Sequence, residues 1–466
     1  MVFSSIIFLF LFLPVTLLLV YPLPRKAQNV MLLAMSAVFY VWGAGEQTWV
    51  IFSVSAVSWL VALGISKLRD RKAGTFFFFT SLLVVAGPLL AVKYIPVIES
   101  ALDNSSAPAQ LYLPLGISFF TFHAISYIVD VRQGKIEPSR NVIHYFLYLF
   151  LFPHQIAGPI VRFSEIADEI AARLRPTTDD ILYGLSRFGW GLAKKTMIAD
   201  NAGAIATAAW SQDWQIDTKA AWLGATAYAV QIYFDFSGYS DMALGLARLF
   251  GFHFPENFAG PYRSRSATEF WARWHMTLSR WFRDYVYIPL GGNRHGRLRE
   301  YAALLITFGT TSLWHGATWP FLIWGGMWSG LLLLERITGL RNVTGWSWLR
   351  RPIMIVFIIV SWVPFRSPST DSMMNVWNAM FHQTGIGMNP IVTTNLTPIG
   401  LGAVAIGFAT FFLPQAIGKR TFDFIALKKD GSFRRILAPI VGLLALVGGA
   451  TFSLWSSFSP FLYYQF

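Results

Sequence analysis

The 466-residue chain contains no cysteine. That absence excludes a disulfide framework, a Cys-ligated zinc site and a cysteine nucleophile, so no acyl thioester can form on its own side chains. Charge is also scarce. Asp, Glu, Lys and Arg make up 13% of the residues, against about a quarter in a soluble domain. No hydrophilic block is long enough to fold by itself, and neither an internal repeat nor a low-complexity linker is visible.

What fills the chain is apolar. Hydrophobic types reach 55% and mean hydropathy is +0.48, a membrane composition. The first apolar run, Ile6 to Tyr21, lacks a basic stretch before it and a small-residue cleavage site after it, so it reads as a retained span. Uncharged runs then cover 27–45, 47–66, 73–92 and 104–129, each near the ~20 residues a helix needs to cross hydrocarbon. Further spans are expected near 220–234, 301–334, 353–365, 397–417 and 436–456. The formal charge of +13 sits in short clusters between apolar runs. Such clusters point to positive-inside topology with an outside N-terminus rather than to a nucleic-acid stripe.

Three places depart from plain spans. His144 to Val161 holds Pro153, His154 and Gly158-Pro159, which predict a re-entrant or kinked segment, with His154, Gly158 and Pro159 shaping a cavity wall. Asp179 to Asp200 predicts a helix opened by capping at Thr177-Thr-Asp-Asp. Tyr301 to Leu334 is too long for one crossing, and Trp319-Pro320 predicts a break into two helices. The expected architecture is all-α: a polytopic protein of about 10–12 transmembrane helices with re-entrant and interfacial helices. It forms a single membrane domain over 1–466, with N-terminal helices to 140, a core over about 141–340 and C-terminal helices from 341.

Beyond Tyr301 at its start, the one titratable side chain in the run 301–334 is His315, in Ser312-Leu-Trp-His-Gly-Ala-Thr-Trp-Pro320. A helix rising from the basic loop Arg294 to Arg299 would carry it roughly 20 Å inward. An ionisable group at that depth marks a functional site by default, and a neutral ring there can accept a proton. The competing reading is a packing histidine bonded to a carbonyl. His275 is the second candidate. On one continuous interfacial helix, Trp271, His275, Leu278, Phe282 and Tyr285 would form an apolar stripe opposite Arg273, Thr277, Arg280 and Asp284. An amphipathic anchor is its alternative role. Asp235 and Asp241, with Ser237 and Ser240, lie six residues apart in an apolar segment and need partners. Arginines such as Arg263 or Arg280 are the expected ones, and ordering of a catalytic cavity is the second possibility. No dinucleotide or phosphate-loop fingerprint and no metal-ligand spacing is present.

Together, Pro114 to Phe122, Gly158 to Phe163, Gln231 to Ala243, Phe270 to Ser279, Tyr287 to Asn293, Leu313 to Ala317 and the ending Ser459 to Phe466 resemble the bacterial membrane-bound O-acyltransferases of the alginate O-acetylase type. Those are relatives of the D-alanyl transferases of teichoic acid. The resemblance implies that His315 is the catalytic histidine and that His275 lines a central tunnel through the membrane. It implies a cell (inner) membrane enzyme that works with a separate extracytoplasmic acetyltransferase and an exopolysaccharide synthesis system, on an alginate- or cellulose-like glycan. No bound cofactor is expected. Acetyl-CoA is the expected donor, with His315 as general base; Trp274, Trp314, Ser312, Asp235, Ser237, Asp241 and Arg280 are candidates for the substrate site. Rival classes are a transporter or flippase for an acylated intermediate, an acyltransferase for another envelope glycan such as peptidoglycan, and an inert scaffold.

Overall fold

The computed structural model describes residues 1–69, 71–102, 114–173, 175–211, 213–340, 347–382, 388, 390–413 and 432–455. About 80% of the structure is helical, with no strand among the described residues, which agrees with the all-α expectation. The motif Ser459 to Phe466 and the span portions 104–113 and 414–417 lie outside the described residues.

Three helices among the described residues are long and apolar enough to cross a membrane: Arg25–Leu68, Lys72–Glu99 and Trp348–Arg366. Shorter apolar helices cover Phe8–Val20, Pro398–Phe412 and Pro439–Trp455. Exposed Phe10, Leu18, Phe76, Leu83, Leu444 and Trp455 give these segments the apolar exterior that lipid requires.

The contact pattern groups the chain into two compact units, residues 1–185 with 242–255, and residues 186–241 with 256–466. The first begins with a π-helical turn, Phe8–Phe12, and continues through α1 (Leu13–Val20), α2 (Arg25–Ala44), α3 (Thr48–Leu68), α4 (Lys72–Leu102), α5 (Ile117–Arg132), α6 (Val142–Phe150), α7 (Phe152–Gln155) and α8 (Phe163–Ala172). Phe3, Phe8, Phe12, Phe39 and Phe152 meet at ring separations of 5.0–6.4 Å in its interior. The predicted break is present. Only the four-residue α7 interrupts non-helical backbone between Leu151 and Arg162. The Phe152 amide is satisfied by the Ser36 hydroxyl at 3.2 Å. Gly116 (φ +74°) approaches so closely that a Cβ there would lie 2.7 Å from the Gln155 carbonyl.

The capping prediction also holds. The Thr177 amide and hydroxyl donate to Asp180 at 3.0 and 2.8 Å, and the Asp180 amide returns a bond to the Thr177 hydroxyl at 3.1 Å. From this start α9 runs over Thr178–Ala193, a second π turn covers Lys194–Ala199, and α10 covers Asp200–Trp210. α11, Thr218–Leu249, is a single 32-residue helix, much longer than the expected 220–234, because the charges in its middle are neutralised rather than exposed.

In the second unit, α12 (Ala267–Trp271) and α13 (Met276–Phe282) precede a third π turn, Arg283–Tyr287. They are followed by α14 (Arg297–His315), α15 (Trp319–Thr338), α16 (Ser347–Arg366), α17 (Thr370–Phe381), α18 (Pro390–Thr394), α19 (Pro398–Phe412) and α20 (Ser432–Trp455). The expected division near Trp319-Pro320 falls at Gly316–Thr318, and Pro320 takes the first turn of α15, where its missing N–H matters least. α15 can press against α14 because position 325 is glycine: a Cβ would stand 1.7 Å from the Ser312 hydroxyl.

Candidate acyl-transfer site

His315 is the last residue of α14 and is 6% exposed. Four aromatic rings surround its imidazole: Trp314 at 4.5 Å, Phe365 at 4.9 Å, Trp324 at 5.2 Å and Phe321 at 6.1 Å between centroids. Two of these come from α15 and one from α16, so the site depends on three helices. The helix break directly after His315 is what turns Phe321 back over the ring.

His275 does not sit on a continuous interfacial helix, and the stripe expected for 268–287 is corrected here. The backbone leaves helical geometry between α12 and α13, and His275 adopts the left-handed conformation (φ +41°), which is uncommon for a residue with a side chain. Asn257 causes the turn. Its carbonyl accepts from the Met276 amide at 2.9 Å, and its side-chain oxygen accepts from the Thr277 hydroxyl at 2.9 Å, the Thr277 amide at 3.3 Å and His275 Nδ1 at 3.0 Å. The Asn257 amide nitrogen donates to Ser240 at 3.1 Å. With Nδ1 donating, Nε2 of the neutral ring is the acceptor. The imidazole packs edge-on to Phe236 at 4.6 Å, and burial pushes its pKa down to about 3, so it stays neutral in ordinary buffers.

The two histidines share one aromatic lining. From His275, ring contacts pass through Phe258 (6.4 Å), Trp274 (5.1 Å from Phe258), Trp362 (5.0 Å) and Phe365 (5.3 Å) to His315. Tyr262 holds this chain in place, accepting from the Trp362 indole at 2.9 Å and donating to the Ala229 carbonyl at 2.7 Å.

A cavity of about 240 Å³ lies between α13, α14 and α15. Arg283, Tyr287 and Arg336 line it together with Trp271, Thr307 and Thr311. Its lining along α14 ends at Thr311, one helical turn before His315 and on the same face. Glu335, 4% exposed, closes off the nearby end of α12 by accepting from the Ala267 and Thr268 amides at 2.5 and 3.0 Å and from the Thr268 hydroxyl at 2.8 Å.

The remaining candidates are distributed differently. Trp274 and Trp314 lie in the aromatic lining. The Ser312 hydroxyl donates to the Phe308 carbonyl of its own helix at 2.8 Å. Asp235 pairs with Lys195 at 2.8 Å, and Asp241 with Arg187 at 2.6 Å and Lys194 at 2.5 Å. Arg187 also reaches Glu256 at 2.8 Å, and Lys195 reaches Asp200 at 2.7 Å. These cations come from residues 187–195, a source that reading the sequence passed over. Ser237 is 2% exposed beside them, and Arg280 is half-buried on α13. Asn257, Trp362, Phe365 and Glu335 were missed as well. A turn signal in Pro255-Glu-Asn-Phe was available for Asn257 alone.

The profile of MBOAT, the membrane-bound O-acyltransferase family, matches residues 38–370. The chain is 36% identical to the probable alginate O-acetylase of Pseudomonas putida over the whole of both chains. It is 30% identical to the peptidoglycan O-acetyltransferase of Helicobacter pylori, over 83% of this chain and 81% of that one. A teichoic acid D-alanyltransferase of Streptococcus thermophilus is 30% identical over 56% of this chain and 64% of its own.

Proposed function

Because the chain belongs to the membrane-bound O-acyltransferase family, we propose that it moves an acetyl group from a cytoplasmic thioester, acetyl-CoA, for O-acetylation of an extracytoplasmic polysaccharide, with His315 as general base. Membership makes it an acyltransferase, so the transporter and scaffold readings fall away. The acceptor follows the relatives: an alginate-like exopolysaccharide after the full-length match first, with peptidoglycan as the alternative.

One observation carries the mechanism: the cavity approaches from the side of the basic loop Arg294 to Arg299 and stops one turn short of a ring-enclosed imidazole. A thioester arm in that cavity would present its carbonyl near His315. The neutral ring accepts the proton of an incoming hydroxyl as the oxygen attacks the carbonyl carbon. When the tetrahedral intermediate collapses, the sulfur leaves and takes that proton back. Arg283 and Arg336, which line the cavity and also pair with Asp284 and Glu300, and Arg280 on α13 are the cations we assign to an anionic donor. Trp274 and Trp314 wall the reacting groups, and His275 lines the passage. Asp235, Ser237 and Asp241 order α11 behind it. A bacterial inner-membrane location with a separate extracytoplasmic acetyltransferase receiving the acyl group completes the reading.

The test is His315→Ala in a deletion strain and in purified form. Loss of polysaccharide acetyl groups and of thioester cleavage, with the protein still in the membrane, is the expected result. Normal acetyl content in that variant refutes the assignment, and linkage mapping of the acetyl groups identifies the polymer.

A further inference from the structure

The first unit contains a second pair of histidines, distinct from those in the acyl-transfer site. His123 on α5 and His154 on α7 are both fully buried. Their rings stand 4.6 Å apart with 32° between planes. One nitrogen of each is committed to backbone. His154 Nε2 lies 2.8 Å from the Tyr148 carbonyl; a carbonyl only accepts, so this nitrogen carries the hydrogen and Nδ1 of the neutral ring bears a lone pair. His123 Nε2 accepts from the Val161 amide at 3.3 Å, so its hydrogen is on Nδ1. The protein therefore presents one N–H donor and one nitrogen acceptor from facing rings, and neither Nδ1 has a hydrogen-bond partner among the described residues.

Buried polar atoms rarely stay unsatisfied, and internal water is the usual remedy where a site offers both donor and acceptor. A group that satisfies this pair must accept from His123 and donate to His154, which is the capability of a hydroxyl. Beside the pair, the Phe254 ring lies 5.1 Å from His154, and the Tyr148 hydroxyl is already directed to the Val161 carbonyl at 3.1 Å.

We propose that His123 and His154 form a two-point binding site for one water molecule, which links α5 to the broken backbone around Pro153 and Gly158-Pro159. The water accepts from His123 Nδ1–H and donates to His154 Nδ1. It thereby replaces helical hydrogen bonding that this stretch lacks.

The full-length protein in lipid nanodiscs provides the test. Cryo-EM at a resolution that shows ordered water is expected to place one spherical peak within about 3.2 Å of both Nδ1 atoms. Nitrogen-15 NMR of histidine-labelled protein is expected to show opposite tautomers, Nδ1–H at His123 and Nε2–H at His154, with magnetisation passing from water to the His123 N–H. In His123→Phe the His154 tautomer should persist and its water contact should vanish. Identical tautomers on the two rings, direct contact between the nitrogens, or no peak between them overturns the proposal. An elongated peak that does not exchange with bulk water overturns it in favour of a lipid-derived alcohol.

Discussion

His275 Nδ1 and Asn257 Oδ1 are 3.0 Å apart, and that bond sets which nitrogen of a buried imidazole faces the aromatic lining. Replacing Asn257 by Ala removes the acceptor and leaves a buried N–H, a loss of about 1–3 kcal/mol. Acyl transfer is expected to fall about 5- to 100-fold in kcat/KM while the protein stays in the membrane. An unchanged rate would reduce Asn257 to a loop-closing residue.

Asn257→Asp tests the same bond through pH. Wild-type His275, with its pKa pushed down to about 3 by burial, stays neutral throughout the physiological range. A carboxylate at 257 favours the imidazolium and raises that pKa. The variant is therefore expected to lose activity as pH falls through the raised value and to recover it as pH rises. A pH–rate profile with wild-type shape would count against a functional role for the neutral ring.

Filling the cavity should separate donor binding from chemistry. Thr311→Trp places an indole at the inner end of the 240 Å³ space without touching the identity of His315. The KM for the thioester donor is expected to rise about tenfold or more. Steady-state kinetics with an unaltered KM would disconnect the cavity from the donor.

Arg187 and Asp241 form a buried pair at 2.6 Å with side chains 5% and 9% exposed. Asp241→Ala leaves the guanidinium without this partner, and breaking such a pair costs about 3–5 kcal/mol. The variant is expected to accumulate poorly, and joint replacement, Arg187→Met with Asp241→Leu, should restore part of the yield. Quantitative membrane immunoblots check this, and a double variant as poor as the single one would show that charge is required there.

Glu335 gives a milder stability prediction. Glu335→Ala strips two amides and a hydroxyl at the start of α12 of their acceptor and should cost about 1–3 kcal/mol. A lower Tm in detergent is expected, with Glu335→Gln in between.

What the sequence made legible follows from periodicity and punctuation. The uncharged runs 27–45, 47–66 and 73–92, the Thr177 cap, the Pro153 break and the division before Trp319 are local signals, and the structure shows helices, cap and breaks at those places. The failures are tertiary. His275 fits an amphipathic stripe perfectly well by spacing, yet Asn257, eighteen residues upstream, captures the amides that a continuous helix would have used. Asp235 and Asp241 announced a need for partners, but nothing local says that two consecutive lysines in a wide helical turn will meet them. Nothing local marks Trp362 and Phe365, because composition does not show which aromatic side chains converge on a histidine.

That wide turn, Lys194–Ala199, holds one residue more than an ordinary α-helix would use for the same advance. It is therefore a place where the chain can change length by one without rotating its flanks: deleting a residue there would convert the bulge to regular helix and leave Arg187 on one side and Asn201 on the other facing as before. The same deletion within α11 would turn everything beyond it by about 100°. Tolerance of single-residue insertions and deletions in this protein should thus cluster at its π turns, and a deletion scan would map them without any further structure.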